Sequence, residues 1–426
     1  MSCNELLSRK VNQKDPIMTV EIYAFRYLRI IQCLLLAAGL MLTSCNDDKV
    51  DPLPQEEPKT LVDATLVATI SAAQIQLVAQ LSGLNIDVSK FIADVDVYKV
   101  TYNTEYKGTS VVASGLISFP KSGEPAPVLS YQHGTITRDA DAPSNFAINK
   151  PEALVTGAFS SSGFVTVIPD YVGFGSTSSI LHPYFVEDAI AGSVVDMLQA
   201  AIELAEEKNV TLDNKLFLAG YSEGGYATMA THKAIEADGV GDLELVASFP
   251  GAGAYDLLDI QEQIFAMETY EHPFYLAYIT LAYKNTYDFN DVLTDFFEEP
   301  YATRIPGLFD NQKGSGEINS QLTTHMADLI QPELREGLLT QSRYKYLADA
   351  FAENSLTDWK PTKRMFMYHG TSDTTVPFAN SQRTYDALIA NGASTDVLSF
   401  TSIPGDHTTA VTPYVADLLL KLWSLK

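Results

Sequence analysis

Short apolar runs and amphipathic stretches alternate along most of this chain, and their two periods mark out its elements. Val97–Tyr102 and Ser110–Phe119 alternate polar and apolar residues and are separated by residues 103–108, which predicts an antiparallel strand pair. Apolar runs of strand length follow at Pro127–Gln132, Phe164–Ile168, Leu216–Ala219, Leu243–Phe249 and Arg364–Tyr368, with a last strand at Asp396–Ser402. Between them, helical spacing covers Glu152–Phe159, Phe185–Glu207, Glu223–Glu236, Phe378–Ala390 and Thr409–Leu425. Residues 61–82 also show helical spacing and predict a helix packed on the body. Strands alternating with helices predict an α/β fold, a mainly parallel sheet covered on both faces. Residues 255–358 break the alternation. They are dense in aromatics, among them Phe265, Tyr270, Phe274, Tyr275 and Tyr278, with helical spacing and few strand signals. We expect a helical cap over the site, most of whose aromatics form its own core.

The first 60 residues read differently. Met18 begins a conventional signal segment, with Arg26 and Arg29 ahead of an apolar run from Ile30 to Leu42. That run is too short to span a bilayer comfortably and suits a signal peptide. It ends in Leu42-Thr43-Ser44-Cys45, which resembles the processing box of bacterial lipoproteins. The resemblance implies cleavage before Cys45 and lipidation of that residue, hence a membrane anchor. Asn46-Asp47-Asp48 is similar to the acidic tract of surface-exported lipoproteins, so the outer membrane or cell surface is expected. Residues 49–60 are rich in Pro and acidic side chains and read as a tether. The expected organisation is a signal peptide (1–44), a tether (45–60), a core (61–254 and 359–426) and a cap (255–358).

Composition narrows the function. With 426 residues, 46% of them hydrophobic, the chain is long enough for one large domain with an insertion, and two domains fit its length as well. A formal net charge of −25 repels phosphate backbones, so nucleic acid is not an expected partner. Cys3, Cys33 and Cys45 all lie near the start. The body therefore offers neither a disulfide framework, a thiol nucleophile nor a cysteine metal site. It also carries no Walker loop, G-x-G-x-x-G or H-E-x-x-H, and we expect neither metal nor cofactor.

Chemistry concentrates at Gly220-Tyr221-Ser222-Glu223-Gly224, a G-x-S-x-G between a predicted strand and a predicted helix. That context is a nucleophile elbow, with Ser222 exposed on a tight turn. A serine hydroxyl needs a histidine base oriented by a carboxylate, and in such sheets these follow in the order Ser, Asp, His. Asp373 follows the strand at Arg364–Tyr368, and His407 follows the strand at Asp396–Ser402, so both emerge at the edge of the sheet that carries Ser222. Asp406 adjoins His407, but side chains of neighbouring loop residues rarely converge, which favours Asp373. His369 reads as a structural histidine, and His182, His232, His272 and His325 sit in no comparable context. The oxyanion donors expected are the backbone N–H of Glu223 and the loop His133-Gly134-Thr135, through Gly134 and Thr135.

The arrangement from Val97 onward resembles the α/β-hydrolase fold. S-Y-Q-H-G-T, I-P-D-Y-V-G-F-G and G-Y-S-E-G-G together resemble the secretory lipase family. The resemblance implies a carboxylic ester hydrolase working through Ser222, His407 and Asp373, with a helical cap between the nucleophile and acid strands. Its expected partner is a small ester or lipid substrate. A serine peptidase and an acetyl or feruloyl polysaccharide esterase share the constellation, and a silent lipoprotein binding an apolar ligand is the reading from another class. Oligomeric state is open.

Overall fold

The structure, a computed structural model, describes residues 59–81, 86–147, 151–290, 292–338 and 342–426. The signal segment, Cys45 and nearly all of the tether lie outside the described residues.

Among the described residues, nine strands form one sheet: β1 (Leu61–Ile70), β2 (Val95–Tyr106), β3 (Thr109–Pro120), β4 (Ala126–Gln132), β5 (Val165–Pro169), β6 (Leu212–Tyr221), β7 (Glu244–Gly251), β8 (Arg364–Gly370) and β9 (Leu398–Ile403). Their spatial order is β1-β2-β3-β5-β4-β6-β7-β8-β9. The first three strands and β5 pair antiparallel, whereas β5, β4, β6, β7, β8 and β9 run parallel. This is the mainly parallel sheet of the α/β-hydrolase fold.

Two expectations change at the sheet's edge. Residues 61–82 are not one helix: Leu61–Ile70 pair with β2, and of the described residues here only Ala72–Leu81 (α1) are helical. Val62, Thr65, Val67 and Thr69 favour extended backbone, and two register shifts let the strand follow its partner. The helix starts where a capping box closes it off. The Ser71 N–H donates to the Gln74 side-chain oxygen at 3.0 Å, and the Gln74 N–H donates to Ser71 Oγ at 3.3 Å. Residues 103–106 likewise belong to β2 rather than to a connection. Tyr102 and Thr104 are buried while Asn103 and Glu105 are exposed, and the turn is only Lys107-Gly108, at φ of 52° and 69°. A two-residue turn with both centres left-handed matches the twist of the strands it joins.

Alternation within the strands divides the core between two faces. Leu216 and Leu218 of β6 pack with Val194, Met197 and Leu198 of α3 (Glu187–Glu207) and with Met229 of α4 (Glu223–Asp238). Phe217 and Ala219 belong to the other face. There Phe159 of α2 (Pro151–Ser161) and Leu418 and Leu422 of α9 (Val411–Leu425) cover the sheet.

Between β7 and β8 the chain runs through α5 (Leu257–Phe265), α6 (Phe274–Thr286), α7 (Lys345–Glu353) and shorter helical turns. Isolated bridges, Thr269 with His325 and Phe297 with Ile330, are the β-pairing found there among the described residues. Most of the aromatics of this insertion are buried: Phe265 packs edge-on against Phe296 at 5.3 Å. Tyr278 instead stacks at 4.5 Å on Tyr184, which precedes α3. After the insertion, α8 (Phe378–Ala390) connects β8 to β9 and buries Leu388 in the same core as Met365 and Leu398 of those strands.

Parallel pairing sends the carboxyl ends of β4, β6, β8 and β9 to a common edge. Gln132 lies opposite Gly220, Gly251 opposite Tyr368, and Gly370 opposite Ile403. The loops beginning at His133, Ser222, Thr371 and Pro404 therefore stand side by side, where open α/β sheets bind ligands.

Candidate active site

Ser222 sits between β6 and α4 at φ 63° and ψ −125°, a conformation that an L-residue adopts only under strain of about 1–3 kcal/mol. Its neighbours hold it there. The Ser222 N–H donates to the Gly251 carbonyl at 2.8 Å, and the Ser222 carbonyl accepts from the Gly225 and Tyr226 N–H groups. Glycines permit the crowding. A Cβ on Gly220 would lie 2.3 Å from the Gly224 carbonyl oxygen, and one on Gly224 would lie 2.0 Å from that of Gln132. Gly225 is equally constrained, 2.2 Å from the Gly251 oxygen, so the requirement extends one residue past the five-residue pattern.

His407 and Asp373 meet the serine. His407 Nε2 lies 2.9 Å from Ser222 Oγ, and its Nδ1 lies 2.6 Å from Asp373 Oδ2. Asp373 is fully buried at its side chain. Its other oxygen accepts the N–H groups of Thr375 and Val376, each at 3.0 Å. Burial alone would raise this carboxyl, but hydrogen bonds from His369 and His407 outweigh it and hold the group at about 2. An ionised carboxylate only accepts, so His407 Nδ1 carries the proton and Nε2 is free to accept from the Ser222 hydroxyl. Asp406, by contrast, is exposed, and its carboxylate accepts from the Thr408 and Thr409 N–H groups.

His369 is buried and supports Asp373. Its Nε2 lies 2.9 Å from the Val376 carbonyl and 3.2 Å from Asp373 Oδ2, both acceptors, so that nitrogen is protonated. Its Nδ1 then accepts from the Ser381 hydroxyl at 2.6 Å. Two tyrosines also tie the loops together, and neither carried a sequence signal for this. The Tyr221 hydroxyl donates to the His407 carbonyl at 2.9 Å. The Tyr414 hydroxyl accepts from the Gly220 N–H at 3.0 Å and lies 2.8 Å from the Phe249 carbonyl, pinning α9 to the elbow.

The loop after β4 passes beside Ser222. A Cβ on Gly134 would lie 3.3 Å from the Tyr221 carbonyl oxygen and 3.7 Å from Ser222 Cβ. Thr135 Oγ1 is 2.9 Å from the Tyr184 hydroxyl. His133 Nδ1 is 2.8 Å from the Gly134 carbonyl, so the ring shapes the loop. Glu223 opens α4, and its N–H has no carbonyl one turn back to bond.

The Glu223 side chain holds the largest departure from the sequence reading. It is buried behind Ser222, with Oε1 2.7 Å from His182 Nε2, and both side chains are 1% exposed. His182 Nδ1 lies 2.6 Å from the Val172 carbonyl, so it carries a proton. A histidine without context in the sequence thus joins the elbow to the Pro169–Gly175 loop.

Above Ser222 opens a narrow cleft with a mostly apolar lining. The insertion contributes Leu257, Ile264 and Tyr275, and the body contributes Phe185, Ala254 and Val376. Burial, with the nearby charges of Glu223 and Asp373, pushes the Tyr275 phenol up to about 12. Among the described residues, no group of three or more His, Cys, Asp or Glu side chains is placed to hold a metal ion.

Comparison with known proteins follows the same lines. A provisionally named hydrolase of Legionella pneumophila superposes with a TM-score of 0.76 at 27% identity, covering 86% of this chain and 98% of that one. The rice cell wall degrading esterase LipA of Xanthomonas oryzae gives 0.74 at 21% identity over 84% and 97% of the two chains. Candida antarctica lipase A in its closed state gives 0.59 at 14% identity over 83% and 78%. At the identities of the last two, the likeness is one of fold. A search of curated proteins returns no match. Residues 142–412, well over half of the chain, match the secretory lipase family, a span that runs from the loop before α2 past Ser222, the insertion and Asp373 to His407. The chain belongs to the secretory lipase family.

Proposed function

We propose that this chain hydrolyses carboxylic esters through an acyl-enzyme, with Ser222 as nucleophile, His407 as general base and Asp373 as the orienting acid. The observation that carries this reading is the unbroken hydrogen-bond relay from Asp373 through His407 to Ser222, set at the floor of an apolar cleft. As Ser222 Oγ attacks the ester carbonyl, its proton passes to His407 Nε2, and the buried carboxylate stabilises the imidazolium. The oxyanion faces the Glu223 N–H and a second backbone donor from Gly134-Thr135, at the positive end of the 16-residue α4. His407 then protonates the departing alcohol, and a water activated by the same nitrogen releases the acid. The helices between β7 and β8 act as the cap, which supplies most of the wall an acyl or alcohol chain packs against.

A fluorophosphonate probe tests the nucleophile. It should label Ser222 in folded protein and leave Ser222→Ala unlabelled; a folded chain without an adduct would point to the silent, ligand-binding reading. A graded p-nitrophenyl ester series set against aminoacyl anilides separates ester from peptide hydrolysis, and we expect turnover of the esters alone.

We further propose that Cys45 carries lipid and residues 46–60 tether the domain to an outer-membrane or cell-surface position. Cys45→Ala should move the chain from the membrane fraction to the soluble one. Retention in the membrane would rule out an anchor at that residue.

A further inference from the structure

Helix α5 turns one face toward the cleft, formed by Leu257, Ile260, Gln261 and Ile264 at the i, i+3, i+4 and i+7 positions. Three of these are aliphatic, as a wall against an apolar chain requires. Gln261 is not, yet it is only 3% exposed. Its Oε1 is enclosed and has no hydrogen-bond partner among the described residues. Three neighbouring polar groups of the cleft are paired: the Tyr184 hydroxyl with Thr135, the Tyr270 hydroxyl with the Thr375 carbonyl at 3.0 Å, and Ser222 with His407.

A buried carbonyl without a donor costs free energy that a leucine in the same place would not. Satisfied buried polar groups are the rule, so an orphan inside a binding cleft implies a partner brought by the ligand. That partner must donate a hydrogen bond, because an amide oxygen only accepts. It must also be neutral, since the cleft lining contains no Asp or Glu to balance a desolvated ammonium. A hydroxyl on an otherwise apolar chain meets both conditions.

We propose that Gln261 is a specificity-determining residue, and that the part of the ester entering this cleft bears a hydroxyl that donates to Gln261 Oε1. The inference deepens the ester-hydrolase reading and rests on it. The test measures kcat/KM of the wild-type chain for matched p-nitrophenyl esters whose acyl chains end in a hydroxyl, a methyl or a ketone. A mirrored series of butyrate esters varies the alcohol in the same way. One hydrogen bond predicts that a hydroxylated ester of suitable length exceeds its plain and keto counterparts by about tenfold. Gln261→Leu, which suits the aliphatic face, should bring that ratio to about one, with Gln261→Met as the second variant should the first fail to fold.

Equal turnover of hydroxylated and plain esters by wild type in both series would overturn the proposal. So would a hydroxyl preference that survives in either variant, or a preference for the ketone. A wild-type chain that neither takes the fluorophosphonate nor cleaves p-nitrophenyl acetate would instead remove the ester-hydrolase reading, and this inference with it.

Discussion

Asp373→Asn is expected to lower kcat/KM for p-nitrophenyl butyrate by about 10⁴-fold while leaving the fold intact, the size of loss that the same substitution causes in the triad of a serine protease. The aspartate accepts from four groups: His407 Nδ1, His369 Nε2, and the Thr375 and Val376 N–H groups. An asparagine has one acceptor oxygen and must turn its NH₂ toward one side of that ring of donors. Turned toward His407, it donates to Nδ1 and drives the imidazole proton onto Nε2, where it can no longer take the serine's proton. Turned the other way, it opposes two backbone N–H groups and distorts the loop that aims the carboxylate. A loss smaller than tenfold, with an unchanged melting curve, would mean that Asp373 does not orient the base.

The second large effect is on stability. His182→Leu should destabilise the chain by about 3–5 kcal/mol, because it strips the Glu223 carboxyl of its partner in a site that is 1% exposed. Urea unfolding of the single variants and of His182→Leu/Glu223→Leu forms a double-mutant cycle, and the double variant should recover most of the loss. The change should also reach catalysis. Glu223 carries the N–H proposed to face the oxyanion, so releasing its side chain loosens a donor of a kind whose removal costs about 10²–10³ in kcat. A destabilisation below about 1 kcal/mol, or no recovery in the double variant, would show that the pair contributes little.

Much of the architecture was legible because local rules suffice for it. The apolar run Leu216–Ala219 followed by glycines spelled out a buried strand entering a tight turn, and Gly220 and Gly224 do lie where a Cβ would meet backbone. The succession of strands and helices implied a parallel sheet, and parallel pairing by itself carries the loops after β6, β8 and β9 to one edge. The first strand escaped this reading because the apolar residues Leu61, Ala64 and Ala68 imitate helical spacing while β2 supplies the ladder that makes the segment extended. Ser71 and Gln74 were the signal that placed the helix start, and the apolar period masked them.

Sequence alone therefore determined which residues stand at strand ends and which backbone positions must be glycine, because both depend on neighbours a few residues away. Which distant side chains meet was decided by tertiary structure. Glu223 and His182 are 41 residues apart, and Tyr414 and Gly220 are 194 apart, with no pattern linking either pair. The same holds for Gln261, which reads as an ordinary polar residue of a helix until packing encloses it in an apolar wall. A hydrogen bond or an orphaned acceptor is a property of what surrounds an atom, and only the folded chain supplies the surroundings.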